Sequence, residues 1–116
     1  MSRLPLHDFH ARAGATFGEV NGMEIVGHYG NAAAEYERFI QSCGIIDLSA
    51  RGRICLIGED RVRFLHGQIT NDVKSLAVGT GCFAALVSNK GRIQSDLNVY
   101  RLADELLLDF EPGLTS

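Results

Sequence analysis

Three strand-like segments follow one another at short spacing late in the chain: Cys82 to Val87, Arg92 to Arg101 and Glu105 to Phe110. The first two are joined by Ser88-Asn89-Lys90-Gly91 and the last two by Ala103-Asp104. Connections this short leave no room for a crossover helix, so the three strands must form an antiparallel meander. The middle segment carries a further signal. Ile93, Ser95, Leu97 and Val99 fall on one face of a strand, and Gln94, Asp96, Asn98 and Tyr100 on the other. One face packs on a core. The other presents hydrogen-bonding groups around a single carboxylate.

Helical patterns come earlier. Residues 4–13 read as a short helix with Leu6, Phe9 and His10 on one side, stopped by Gly14. Thr16 to Val20 and Met23 to Val26 flank Asn21-Gly22, a hairpin dipeptide. Asn31 is a good N-cap for a helix carrying Tyr36, Phe39, Ile40 and Cys43 at i, i+3, i+4, i+7, with Gly44 at its stop. Ile45 and Ile46 begin a strand, and Arg53 to Ile57 make another. Asp60 caps a helix bearing Val62, Leu65 and Ile69. The fold class is α+β: an antiparallel sheet with flanking helices.

At 116 residues the chain has room for one domain, and 46% hydrophobic residues suffice for a core. The strand that closes at Phe110, with Leu106-Leu107-Leu108 wanting cover on both faces, marks residues 1–116 as a portion of a larger, truncated fold. Eleven Lys and Arg against 14 Asp and Glu give a net charge of −3, which argues against gripping a nucleic acid backbone. Arg51, Arg53, Arg61 and Arg63 line either an anionic pocket or a solvated surface. The three cysteines, Cys43, Cys55 and Cys82, form no CxxC pair, so neither a zinc site nor a disulfide framework is indicated. No signal-peptide h-region or transmembrane run is present, and a cytoplasmic setting without membrane contact is expected.

No phosphate loop, nucleophile elbow or zinc-protease motif occurs. His7 and His10 are three apart, but no further ligand accompanies them, and no metal site is assigned. Cys82 reads as an inert core thiol. Asp96 is different, because a lone Asp inside a strand is disfavoured and needs compensation. Solvent supplies it in one reading. In the other, a bound heterocycle with N–H donors supplies it, and Phe83 on the preceding strand is an aromatic wall beside it.

Four segments, taken together, resemble the N-terminal portion of the GcvT/YgfZ family, which comprises the glycine-cleavage T-protein (an aminomethyltransferase) and folate-binding relatives. They are Leu6-His7-Asp8-Phe9-His10 with Gly14-Ala15; Cys43-Gly44-Ile45-Ile46-Asp47-Leu48-Ser49; Phe64-Leu65 with Thr70-Asn71-Asp72-Val73; and Gly91 to Tyr100. The resemblance implies a tetrahydrofolate-binding domain within a larger protein. It implies that Asp96 is the functional carboxylate and that Phe83 and Tyr100 line the folate site. For the T-protein branch it implies transfer of an aminomethyl group from a lipoylated carrier protein to tetrahydrofolate.

Departures from the T-protein pattern point to the other branch. Ser95-Asp96 replaces two adjacent Asp residues, Asp47-Leu48-Ser49-Ala50-Arg51 stands for Asp-Val-Ser-His-Met, and Phe83 stands where Tyr is frequent. Gly67-Gln68 and Ser95 lean toward YgfZ-like proteins. That branch implies a non-enzymatic folate-binding protein supporting iron–sulfur enzymes or tRNA modification.

Overall fold

A computed structural model describes residues 1–115, which divide into two compact units, residues 1–50 and 51–115. In the first, helix α1 (His7–Arg12) ends before Gly14, and strands β1 (Thr16–Val20) and β2 (Met23–His28) form a two-stranded antiparallel sheet. Asn21 and Gly22 both hold positive φ, 49° and 78°, as the tight turn between right-twisted strands requires. The backbone of Ser2 pairs with Gly22 and Glu24, adding a short extension to this sheet.

Helix α2 (Ala32–Gln41) begins as expected, with Asn31 Oδ1 accepting from the Ala34 N–H at 3.1 Å. It ends earlier than the glycine suggests, with Ser42 rather than Gly44 at the C-cap. None of its residues is buried. The Tyr36, Phe39 and Ile40 stripe borders, in part, an open hollow of about 460 Å³ with Ile45 and Ile46. The strand expected at Ile45-Ile46 does not form. A strand needs a partner ladder, and here the chain is tied two residues later by the Asp47 side chain instead.

The second unit holds β3 (Gly52–Leu56), α3 (Arg61–His66), β4 (Gly81–Val87), β5 (Ile93–Arg101) and β6 (Leu106–Phe110). The meander β4-β5-β6 forms as expected, and β3 pairs antiparallel with β6, giving the order β3-β6-β5-β4. Asp60 makes no capping hydrogen bond to α3 and pairs with Arg63 at 2.9 Å instead. Ile69 leaves the helix, because the chain after Gly67 bonds along the edge of β4.

One face of this sheet is the core: Leu97, Val99, Leu106, Leu108, Phe110 and Ala84 pack with Leu65, Ile69 and Val73. Burying each large aliphatic side chain contributes roughly 1.5–3 kcal/mol, so this face fixes the register of all four strands. The alternation fails only at the start of β5. A bulge between Leu86 and Val87 sets Val87 opposite Ile93 and leaves Gln94 as the extra residue. Ile93, expected in the core, is 72% exposed, and Gln94 borders a hollow with Ser95, Leu97 and Leu108 instead of joining Asp96. Among the described residues no helix is long and apolar enough to cross a membrane.

Candidate functional site

The open face of the four-stranded sheet is built in rows, because directly paired residues on antiparallel strands project the same way. Phe83, Asn98, Asp109 and Arg53 make one row across β4, β5, β6 and β3. Gly81, Tyr100, Leu107 and Cys55 make the next. On the other side Ala85 faces Asp96, and one step past the last bridged pairs the register continues to Glu111 and Arg51. Asp96, Phe83 and Tyr100 thus occupy three successive rows of one surface. The sequence pattern placed them together, and the fold does too.

Each is reachable. Phe83 is 62% and Tyr100 40% exposed, and Asp96 is exposed as well. Among the described residues none is seen to donate a hydrogen bond to the Asp96 carboxylate, which is exposed to solvent. The residues opposite Asp96 and Tyr100 are small, Ala85 and Gly81. A Cβ at Gly81 would stand 2.8 Å from the Val99 carbonyl oxygen and 3.0 Å from Tyr100 Cδ1. Only glycine lets the tyrosine ring lie across β4. Two aromatic rings in the rows next to an exposed carboxylate, with small residues opposite, suit a flat heterocycle with N–H donors.

Ser95 does not belong to this surface. It lies on the opposite side of β5, paired with Leu86, and its hydroxyl donates to the Asp96 carbonyl oxygen at 2.8 Å. A substitution there reaches Asp96 only through the backbone.

The sequence did not reveal what borders the face. Thr70 and Asn71 dress the outer edge of β4. The Thr70 N–H donates to the Ala85 carbonyl at 3.0 Å, the Ala85 N–H donates to Thr70 Oγ1 at 2.9 Å, and Asn71 Nδ2 donates to the Phe83 carbonyl at 2.9 Å. Covering this edge fixes the backbone beneath Phe83 and Ala85. Arg101 Nη1 donates to the carbonyls of Val73, Lys74 and Leu76, holding the following loop. On the far side Arg51 Nε donates to Asp109, and Nη1 lies 3.5 Å from Glu111. The hydrogen bond to Asp109 raises the Arg51 pKa, burial opposes, and the charges of Asp109, Glu111 and Asp96 add to the rise. The only signal for this cluster was the Arg51/Arg53 spacing, which does not name its partners.

The first unit has a separate polar network. His10 is 6% exposed; Nε2–H donates to Asp47 Oδ2 at 2.6 Å, and Nδ1 meets the Tyr29 hydroxyl at 2.6 Å. The Ser49 hydroxyl and backbone N–H also donate to Asp47, and these with His10 outweigh burial, holding its pKa at about 2. His7 Nδ1–H donates to buried Glu24 at 2.7 Å, and the Leu4 N–H donates to the same oxygen. Burial pushes the Glu24 carboxyl up, but these bonds and the charges of His7 and Arg3 leave it below its ordinary value. The two histidines therefore serve different carboxylates. Among the described residues no group of three or more His, Cys, Asp or Glu is arranged to hold a metal. Burial also raises the Cys82 thiol pKa, which disfavours the thiolate.

Comparison with known proteins identifies the family and the fold. The family model described as the GCVT N-terminal domain matches residues 6–109. The chain is 32% identical over 105 residues to an aminomethyltransferase of Chloroherpeton thalassium, covering 90% of this chain and 29% of that protein. It is 34% identical over 109 residues to a probable aminomethyltransferase of Natronomonas pharaonis, covering 94% of this chain and 30% of that one. The chain thus spans less than a third of the length of these relatives. Its fold matches the crystal structure of glycine cleavage system aminomethyltransferase T from Bartonella henselae with a TM-score of 0.79 at 24% identity, over 98% of this chain and 32% of that one. A family model covering this much of the chain, over the antiparallel α+β fold described above, leaves one conclusion: the chain belongs to the GCVT N-terminal domain family.

Proposed function

We propose that the open face of the β3–β6 sheet is a tetrahydrofolate-binding surface of a glycine-cleavage-type aminomethyltransferase, of which residues 1–116 are the N-terminal portion. The observation that carries this reading is Asp96: an exposed carboxylate with no hydrogen-bond donor among the described residues, in the row between that of Phe83 and the bulge, and four residues before Tyr100 on the same strand face. The family and its aminomethyltransferase relatives support the reaction class.

The residues fit a reduced pteridine. Asp96 accepts two N–H donors from one edge of the ring, which fixes its orientation. Phe83 and Tyr100 flank it, and Gly81 and Ala85 leave depth for it. Tetrahydrofolate supplies the nucleophilic nitrogen that receives the one-carbon unit. Asp96 would stabilise positive charge developing near that nitrogen and hold the ring still while the carbon's bonds to the sulfur of a lipoylated carrier and to its amine break, two bonds to folate nitrogens form, and the displaced protons leave on the carrier thiol and on ammonia. The working compartment in this proposal is the cytoplasm.

Calorimetric titration of tetrahydrofolate into the chain, with and without Asp96→Asn, tests the site. Binding that drops in the variant is expected, and equal heats for both would sink the assignment. A second reading, a folate-binding accessory protein of iron–sulfur enzymes, draws on Ala50 and Arg51, which depart from the T-protein pattern. Folate binding without aminomethyl transfer would favour it.

A further inference from the structure

Resting on that reading of the open face, the geometry points to Arg51 as a specificity-determining residue that makes the face tolerant of an anionic ligand. Three carboxylates, Asp96, Asp109 and Glu111, share this surface with two arginines, Arg53 opposite Asp109 and Arg51 opposite Glu111. Adjacent strands lie about 4.8 Å apart, so neighbouring charges on one face stand well within a Debye length of each other. A ligand bearing carboxylates of its own, as tetrahydrofolate does, would be repelled by such a surface.

Arg51 lies at the end of that row and is partly buried, its side chain 20% exposed. Its guanidinium is held by Asp109 through Nε and by Glu111 at 3.5 Å. Two carboxylates of the three are thereby compensated by a cation that its own partners keep in place. Asp96 is left as the acceptor open to a ligand, beside a fixed positive charge. The Asp96 charge also reaches Arg51, since it contributes to keeping the guanidinium protonated. Without Arg51, Glu111 would lose its guanidinium neighbour and Asp109 the Nε donor, leaving Arg53 opposite Asp109 as the remaining cation of these rows.

The device acts by charge, so it differs in sign between its two halves. Arg51→Met exposes the carboxylates and weakens tetrahydrofolate binding. Glu111→Gln removes a carboxylate while leaving Arg51 held by Asp109, and strengthens it. Changes of roughly three- to tenfold in each direction are expected at low ionic strength, for partly screened charges on a solvated face. Both shrink toward unity at about 1 M salt, where the Debye length is about 3 Å. Arg51→Lys keeps the sign of the charge and recovers part of the loss.

The experiment is titration of tetrahydrofolate into the chain and these three variants at low and high salt, with thermal unfolding of each as a control on folding. Opposite, salt-sensitive shifts for Arg51→Met and Glu111→Gln bear the inference out. Shifts of the same sign, shifts independent of salt, or none at all overturn it while leaving the folate site standing. Absence of binding by the unsubstituted chain at every salt concentration would overturn the folate reading, and the role of Arg51 with it.

Discussion

Asp47 and Glu24 in the N-terminal unit and Asp96 on the C-terminal sheet are all carboxylates beside aromatic or imidazole rings, yet they are used in opposite ways. Asp47 accepts from His10, from the Ser49 hydroxyl and from the Ser49 N–H, and Glu24 accepts from His7 and the Leu4 backbone. Their bonding capacity is filled from within, and their pKa values fall accordingly. Asp96 faces Ala85 directly and shares its sheet face with Phe83 one row on and with Tyr100 over Gly81 two rows on, groups that shape a space without filling it. A carboxylate satisfied internally holds the fold together, and one left open on a rigid sheet is available to a ligand. His7 and His10, of the residue type that most often attracts a catalytic assignment, serve carboxylates of the first kind.

Substituting the two kinds of carboxylate is the most direct way to break this contrast. Asp96→Asn is expected to lower tetrahydrofolate affinity on the order of 10- to 100-fold, the equivalent of losing one or two charge-assisted hydrogen bonds. Its unfolding free energy should stay within about 0.5 kcal/mol of the unsubstituted chain, as for a surface change. A large loss of stability in denaturant titration would show that Asp96 is structural after all.

Asp47→Ala should do the reverse. It leaves the His10 Nε2–H without its acceptor in a buried position, at a cost of about 1–3 kcal/mol, read by denaturant unfolding. Gly81→Val tests the support beneath Tyr100. The new Cβ meets a carbonyl and the ring edge, so a shift of the ring and a loss of about 1–3 kcal/mol are expected. Tyrosine fluorescence and titration would report a weakened ligand site; unchanged binding would remove Tyr100 from it.

The smallest effect is a pH dependence. The Asp47 pKa is about 2 in the folded chain against an ordinary value of 3.8. A depressed carboxyl pKa contributes stability that is complete above the unfolded value and is lost as pH falls through the folded one. Unfolding midpoints should therefore decline between about pH 4 and pH 2, and this part of the slope should vanish in Asp47→Asn. A slope identical in the variant would assign the acid sensitivity to other groups.

Much of the fold was legible because it rests on local rules. The turn at Asn21-Gly22, the Asn31 cap and the short links of the 82–110 meander depend on a few adjacent residues, and all three formed. The errors fell where a partner decides. Ile45 and Ile46 have strand propensity but no ladder, Asp60 turned to Arg63 instead of capping, and the apolar stripe of α2 stands uncovered within its unit. The bulge at Gln94 removed one residue from the polar face, because a single extra residue in one strand shifts every residue before it.

By itself the sequence determined the period of β5, and with it the common face of Asp96, Asn98 and Tyr100, since side chains on a strand must alternate. It also determined the α+β class, through the order of its elements. Only the tertiary structure decided which groups stand across the sheet from that face. Register brought Phe83 beside Asn98, set Gly81 under the Tyr100 ring, and carried Arg51 to Asp109 and Glu111. Those meetings join residues up to 60 positions apart in the chain. No periodicity encodes them, because they follow from how the whole apolar face of the sheet is buried.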